Sequence, residues 1–201
     1  THDVGERISW TLRPPVSKMK PEWNRKRENM KDVCRACHGQ RFIDGHYAQY
    51  DGVVQLYNNK FAKPAGALMK LLKGKGLLKN KAAFGNKIEW VYWEIWHHEG
   101  RRARHGAAMM GPDYTWWHGI YEVAKHFYFK LLPMARKYKD AEVNAFLDKL
   151  EKDPMHDWLR RPTKQIKADI RAGKLQTIYE GMFKPGAAPA PAKAKKPAPK
   201  K

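Results

Sequence analysis

Cys34-Arg35-Ala36-Cys37-His38 holds the only two cysteines of the 201-residue chain. C-x-x-C-H is the spacing by which a c-type haem is attached. Two thiols three positions apart can add to the two vinyl groups of one porphyrin, and the next imidazole can reach back to the iron as proximal ligand. Other uses of the spacing fit less well. A thioredoxin-like redox pair wants a strand-to-helix junction, and no run of branched apolar residues surrounds Cys34. A structural zinc site needs four ligands, and no second cysteine pair completes one. A buried pair without chemistry leaves His38 unexplained.

Outward from this pentapeptide the chain reads as mostly α. A polar helix is expected from about Pro21 to the motif, with Pro21 near its first turn. The apolar positions Val53, Leu56, Tyr57, Phe61, Leu68 and Leu72 suit a helix over 47–72, interrupted at Pro64, and Gly74, Gly76 and Gly85 mark a flexible connection. A third helix starts near Asn86, carries Trp90, Trp93, Trp96, His97 and His98, and runs to about Met109 despite Gly100. A fourth covers 115–138 with a kink at Pro133. Shorter helices follow over 140–151, after Asp153-Pro154, and over 163–172, where Gly173 is the stop. The segments are a haem-binding 1–46, a helical bundle 47–183 and a tail 184–201. That tail holds only Lys, Pro, Ala and Gly, too little apolar surface to order itself, and reads as disordered.

Forty basic against twenty acidic residues give a net charge of +20, of which six charges lie in the acid-free tail. Such an excess fits nucleic acid or an anionic partner. Porphyrin propionates also want Arg or Lys partners, so a basic haem domain need not bind nucleic acid, and none is expected here. No run of about 18 apolar residues occurs, so no membrane span is expected. The chain opens on Thr1 without a signal peptide, as a processed chain or the C-terminal part of a longer one would. Haem attachment of this kind belongs to the far side of the cytoplasmic membrane, in the periplasm or an equivalent compartment.

Nine histidines exceed what one haem can use. On a helix, His98 and His105 stand about 20° apart and His118 and His126 about 80° apart. Histidines in such surplus beside a haem motif point to distal ligands for further haems, in a longer chain or a neighbouring subunit. For any single one, a core or surface role is as good a reading. Arg101, Arg102 and Arg104 are candidates to pair haem propionates, or a solvated basic face.

The stretch His97-His98-Glu99-Gly100-Arg101-Arg102-Ala103-Arg104-His105, continuing through Gly106-Ala107-Ala108-Met109-Met110-Gly111-Pro112-Asp113-Tyr114-Thr115-Trp116-Trp117-His118-Gly119, resembles the C-terminal portion of the octahaem hydroxylamine oxidoreductase family, which includes hydrazine dehydrogenase. So does Thr1-His2-Asp3-Val4-Gly5-Glu6-Arg7-Ile8-Ser9-Trp10 upstream, and the similarity runs to about Tyr138. The resemblance implies an exported, mostly helical multihaem cytochrome c, a homotrimer in which bis-histidine haems relay electrons from one five-coordinate catalytic haem. The anammoxosome lumen is one compartment it implies. Tyr114, with Tyr121 as the fallback, matches the tyrosine linked covalently to the catalytic haem of a neighbouring subunit; a helix-start aromatic packed on a neighbour is its plainer role. His38 would ligate a relay haem, with His2, His98, His105 and His118 as further iron ligands. The substrate would be hydroxylamine or hydrazine and the acceptor a small redox cytochrome. One motif stands where the family has eight, so this chain alone should not turn over substrate; were it complete, it would be a monohaem electron-transfer cytochrome.

Overall fold

A computed structural model describes residues 22–180, which are mostly helical and contain no strand. His2 and the 184–201 tail lie outside the described residues, as does Pro21. Helix α1 is Trp23–Arg35. Helix α2 runs unbroken over 40–74, as α-helix Gln40–Tyr57, a π-helical turn Asn58–Ala62 and α-helix Lys63–Gly74. Helix α3 covers 87–108 with a π-helical Glu94–Glu99 in its middle. Helix α4 covers 112–136 with two such turns, Trp116–Tyr121 and Phe127–Leu131. Helix α5 is Ala141–Leu150, followed by a 3₁₀ turn Asp157–Arg160, then α6, Thr163–Arg171, and α7, Lys174–Ile178.

The starts follow from local chemistry. Asn86 opens α3 with a capping box: its side chain and backbone exchange hydrogen bonds with the first turn, and the Glu89 carboxylate accepts the Asn86 N–H at 2.9 Å. Asp140 caps α5, accepting from the Glu142 and Val143 N–H groups at 3.0 Å each. Gly173, at φ 72°, ends α6 as expected.

Position 46/47 falls inside α2, because the helix that starts after the cysteine motif continues to Gly74. Pro112 starts α4, three positions before the expected 115: at the first helical position a proline has no N–H to waste, and Gly111 accepts the Thr115 N–H at 3.0 Å. The helix continues through Pro64, where an interruption was expected, and through Pro133; each proline is the second residue after a π-helical turn, whose wider loop moves away the carbonyl that a proline ring would strike.

Most of the core lies between α2, α3, α4 and α5, around Tyr57, Phe61, Leu68, Ile95, Phe127 and Leu147. A second, smaller cluster of Ile43, Tyr47, Tyr50, Val53 and Val54 packs on Ala107 and Ala108 at the end of α3. Close approach is bought with glycine. A Cβ on Gly100 would lie 2.4 Å from the Tyr57 ring, and one on Gly119 2.6 Å from Ala103 Cα. These contacts draw the middle of α3 against α2 and α4, and so fix where its histidines and arginines emerge.

Candidate functional site

The cysteine motif forms the turn between α1 and α2. Cys34 O accepts the N–H groups of Cys37 (3.1 Å) and His38 (2.9 Å), and Gly39 in extended conformation then starts α2. Both cysteines are free thiols, Cys34 half-buried against the smaller core cluster and Cys37 exposed. The exposed His38 ring stacks on Phe42 at 4.6 Å. Phe42 and Val33 stand open beside it, 47% and 68% exposed. Two thiols on one open turn, an exposed imidazole next to them and uncovered apolar side chains at both flanks fit a covalently held porphyrin, which needs apolar cover. The surroundings are helix–turn–helix, without the strand of a thioredoxin-like site. No three His, Cys, Asp or Glu side chains among the described residues converge as a metal-ion site.

A second set of side chains gathers where α3 and α4 meet. Trp93, His97, His98, Arg101, Arg102 and His105 line an open cleft of about 390 Å³. The His97 ring lies on the Trp93 indole at 4.5 Å. Arg102 is the hub. Its Nη2 is 3.1 Å from His98 Nε2, its Nη1 donates to the His118 carbonyl at 3.3 Å, and it lies 3.6 Å from the Glu99 carboxylate. A guanidinium can only donate, so His98 Nε2 is the acceptor and the ring proton sits on Nδ1, 2.9 Å from Glu99 Oε1. Glu99 is itself buried. A carboxylate on one ring nitrogen fixes the tautomer, as it does for metal-ligating histidines, while the lone pair on Nε2 accepts from Arg102, a bond that would have to be given up before that nitrogen could bind iron.

Across the helix pair, His118 Nε2 lies 3.4 Å from Asp113 and its ring is 5.9 Å from that of Tyr114. Tyr114 is 58% exposed, on the same open side of α4 as Trp117 and Tyr121, whose rings are 5.5 Å apart. Arg102 thus ties His98 on α3 to the backbone of His118 on α4, with His105 along the same cleft and Tyr114 beside the His118 ring. The Cys34–His38 turn packs elsewhere, by the cluster that holds Ala107 and Ala108.

Arg104 does not join this set. It is wholly buried, donating to the carbonyls of Gly100 (2.8 Å) and Trp96 (3.3 Å) with its guanidinium 4.3 Å over the Tyr57 ring. A propionate cannot reach it, and only Arg101 and Arg102 remain as candidates for that role.

His46 was hidden in the sequence among nine histidines. It is buried, with neither ring nitrogen hydrogen-bonded, set edge-on to Tyr47 (5.1 Å) and parallel to Tyr50 (6.5 Å). Burial, then the charge of Arg27, hold its pKa below the usual histidine value. Arg27 in turn makes a buried two-bond pair with Asp51 at 2.6 and 2.8 Å. A buried neutral imidazole with both nitrogens unsatisfied has the lone pair an iron would take. Glu99 and Trp93 escaped notice as well; their signal was adjacency, one position and four positions from the His97-His98 pair.

No helix among the described residues is long and apolar enough to cross a membrane. No protein-family model, curated protein or solved structure matches the chain.

Proposed function

We propose that this chain is the C-terminal portion of a multihaem c-type oxidoreductase resembling the hydroxylamine oxidoreductases, and that it carries one haem on Cys34, Cys37 and His38. The observation that carries the reading is the Cys34–His38 turn, where two free thiols and an exposed imidazole share one open turn; at the second set of residues His98 lines an open cleft with His105, its Nδ1 on the buried Glu99 and its Nε2 on Arg102. A histidine kept only for packing looks different, as His156 does, buried and bonded to the Tyr128 hydroxyl at 2.8 Å.

Haems supply one-electron steps and, where one axial position is open, a place for a substrate nitrogen. Within this reading His38 is the proximal ligand of a relay haem. His98, His105 and His118, together with His2, serve as ligands to haems held by the rest of the full-length chain or a neighbouring subunit. Arg101 and Arg102 meet propionates with paired N–H donors. Tyr114, exposed and without a core role, is the residue linked to a neighbouring subunit's catalytic haem in a homotrimer. The substrate is hydroxylamine or hydrazine, the acceptor a small redox cytochrome, the compartment extracytoplasmic. A second reading, a monohaem electron-transfer cytochrome, needs only the one C-x-x-C-H that these 201 residues carry.

Expression in a host that matures c-type cytochromes, followed by intact-mass measurement, is expected to show one haem added to the chain and none in Cys34→Ala/Cys37→Ala; an unmodified wild-type mass would overturn both readings. Seven further C-x-x-C-H motifs encoded upstream of Thr1 would decide for the oxidoreductase.

A further inference from the structure

A groove of about 500 Å³ shares Trp93 with the histidine cleft but not its chemistry. Its walls are the rings of Phe84, Tyr92, Trp93 and Trp96, with Met69 and Leu78 between them. The volume is that of a small-molecule site. At its rim stand Lys70 and Lys73 from α2, both exposed and without an ion pair among the described residues. The groove's one carboxylate, Glu89, is already committed, accepting the backbone N–H and the side-chain amide of Asn86 at 2.9 Å each. The electrostatic preference is therefore for an anion.

One wall is held in place against its own preference. Phe84 has φ 57°, a left-handed conformation that bulky residues avoid, and its ring is 41% exposed. It lies at 4.6 Å on Trp90 and at right angles to Trp93, 6.4 Å away. The loop carrying it is clamped at its ends: Asn86 Nδ2 donates to Asn80 O at 2.7 Å, Asn80 N–H donates to Asn86 Oδ1 at 3.2 Å, and Ala82 N–H donates to Asn80 Oδ1 at 3.0 Å. Strained residues that the surrounding structure over-determines are concentrated at ligand clamps. The ring is presented before any ligand arrives, which lowers the entropy cost of binding.

We infer that this groove binds a planar aromatic carboxylate, its ring system between the Phe84, Tyr92 and Trp93 side chains and its carboxylate between Lys70 and Lys73. The site stands apart from the haem reading and does not depend on it. Aromatic walls select a flat apolar body, and two uncompensated ammonium groups one helical turn apart select its charged end.

The test is isothermal titration of the purified full chain with 2-naphthoate as the probe. Saturable binding of one equivalent is expected, weakened at least tenfold in Lys70→Glu/Lys73→Glu and at least fivefold in Phe84→Ala. The neutral 2-naphthalenemethanol should bind at least tenfold more weakly than the acid. Lys164→Glu/Lys167→Glu, which makes the same change of net charge on exposed residues of α6, should leave binding unchanged. Absence of saturable binding, or equal weakening by the two charge reversals, would overturn the assignment, and circular dichroism of each variant separates a lost site from a lost fold.

Discussion

His156 shows what burial does to one titratable side chain. It is 2% exposed, stacked on Phe127 at 5.8 Å and bonded to Tyr128, and burial, with Lys60 nearby, pushes its pKa down to about 4. The unfolded chain then takes up a proton near pH 6.5 that the folded chain refuses until about pH 4. This contribution to stability is complete above pH 6.5 and lost as pH falls through that window, an upper bound of about 3 kcal/mol. Denaturant unfolding between pH 7 and pH 4 should show a slope that shrinks in His156→Gln. The buried Arg27–Asp51 pair is a second residue-scale case: Asp51→Ala strands a guanidinium and is expected to cost about 3–5 kcal/mol in the same assay, whereas Arg27→Met/Asp51→Leu should recover much of it. What could be read from the sequence at this scale was adjacency. Cys34, Cys37 and His38 declare themselves in five positions, but His46 and Arg104 take their character from what surrounds them, and Arg104 is buried where a propionate partner or a solvated face was expected.

At the scale of the element, the caps at Asn86, Asp140 and Gly173 were legible because each acts within one turn of its own residue. The π-helical turns were not. They answer to prolines at 64 and 133 and to contacts between helices, which no local periodicity encodes. The same contacts reverse an ordinary rule. Gly→Ala in a helix interior is normally favourable by about 1 kcal/mol, yet at Gly100 the new methyl would meet the Tyr57 ring and the Ile95 carbonyl at 2.4 Å. Gly100→Ala is therefore expected to lower stability, by about 1–3 kcal/mol, and to disturb the spacing of His97, His98 and Arg102. Gly119→Ala, against the backbone of Ala103, should behave alike. Thermal unfolding of the two variants checks both.

Over the whole molecule, the helical class followed from dense aromatic and apolar positions at helical spacing, but the site did not follow from any one helix. His98 and His118 are twenty positions apart, and they become neighbours only because α3 and α4 fold back at Met109, Met110 and Gly111 and Arg102 spans the gap. Along α4, Tyr114, Trp117, Tyr121 and Phe129 are 58%, 65%, 52% and 70% exposed. On the proposed reading, Tyr114→Phe in the full-length chain is expected to abolish a covalent tie between subunits, read as loss of the cross-linked species in denaturing electrophoresis. Persistence of that species would move the role to Tyr121.

Trp93 is a party wall. One indole lines both the aromatic groove and the histidine cleft, and its ring lies on His97. A guest that turns the indole on entering one chamber alters the fit of the other, and linkage then requires the effect to be mutual: whatever factor the first guest imposes on the second, the second imposes on the first. The helix that carries His97, His98 and His105 thus also gives them a neighbour through which a small molecule's presence is felt.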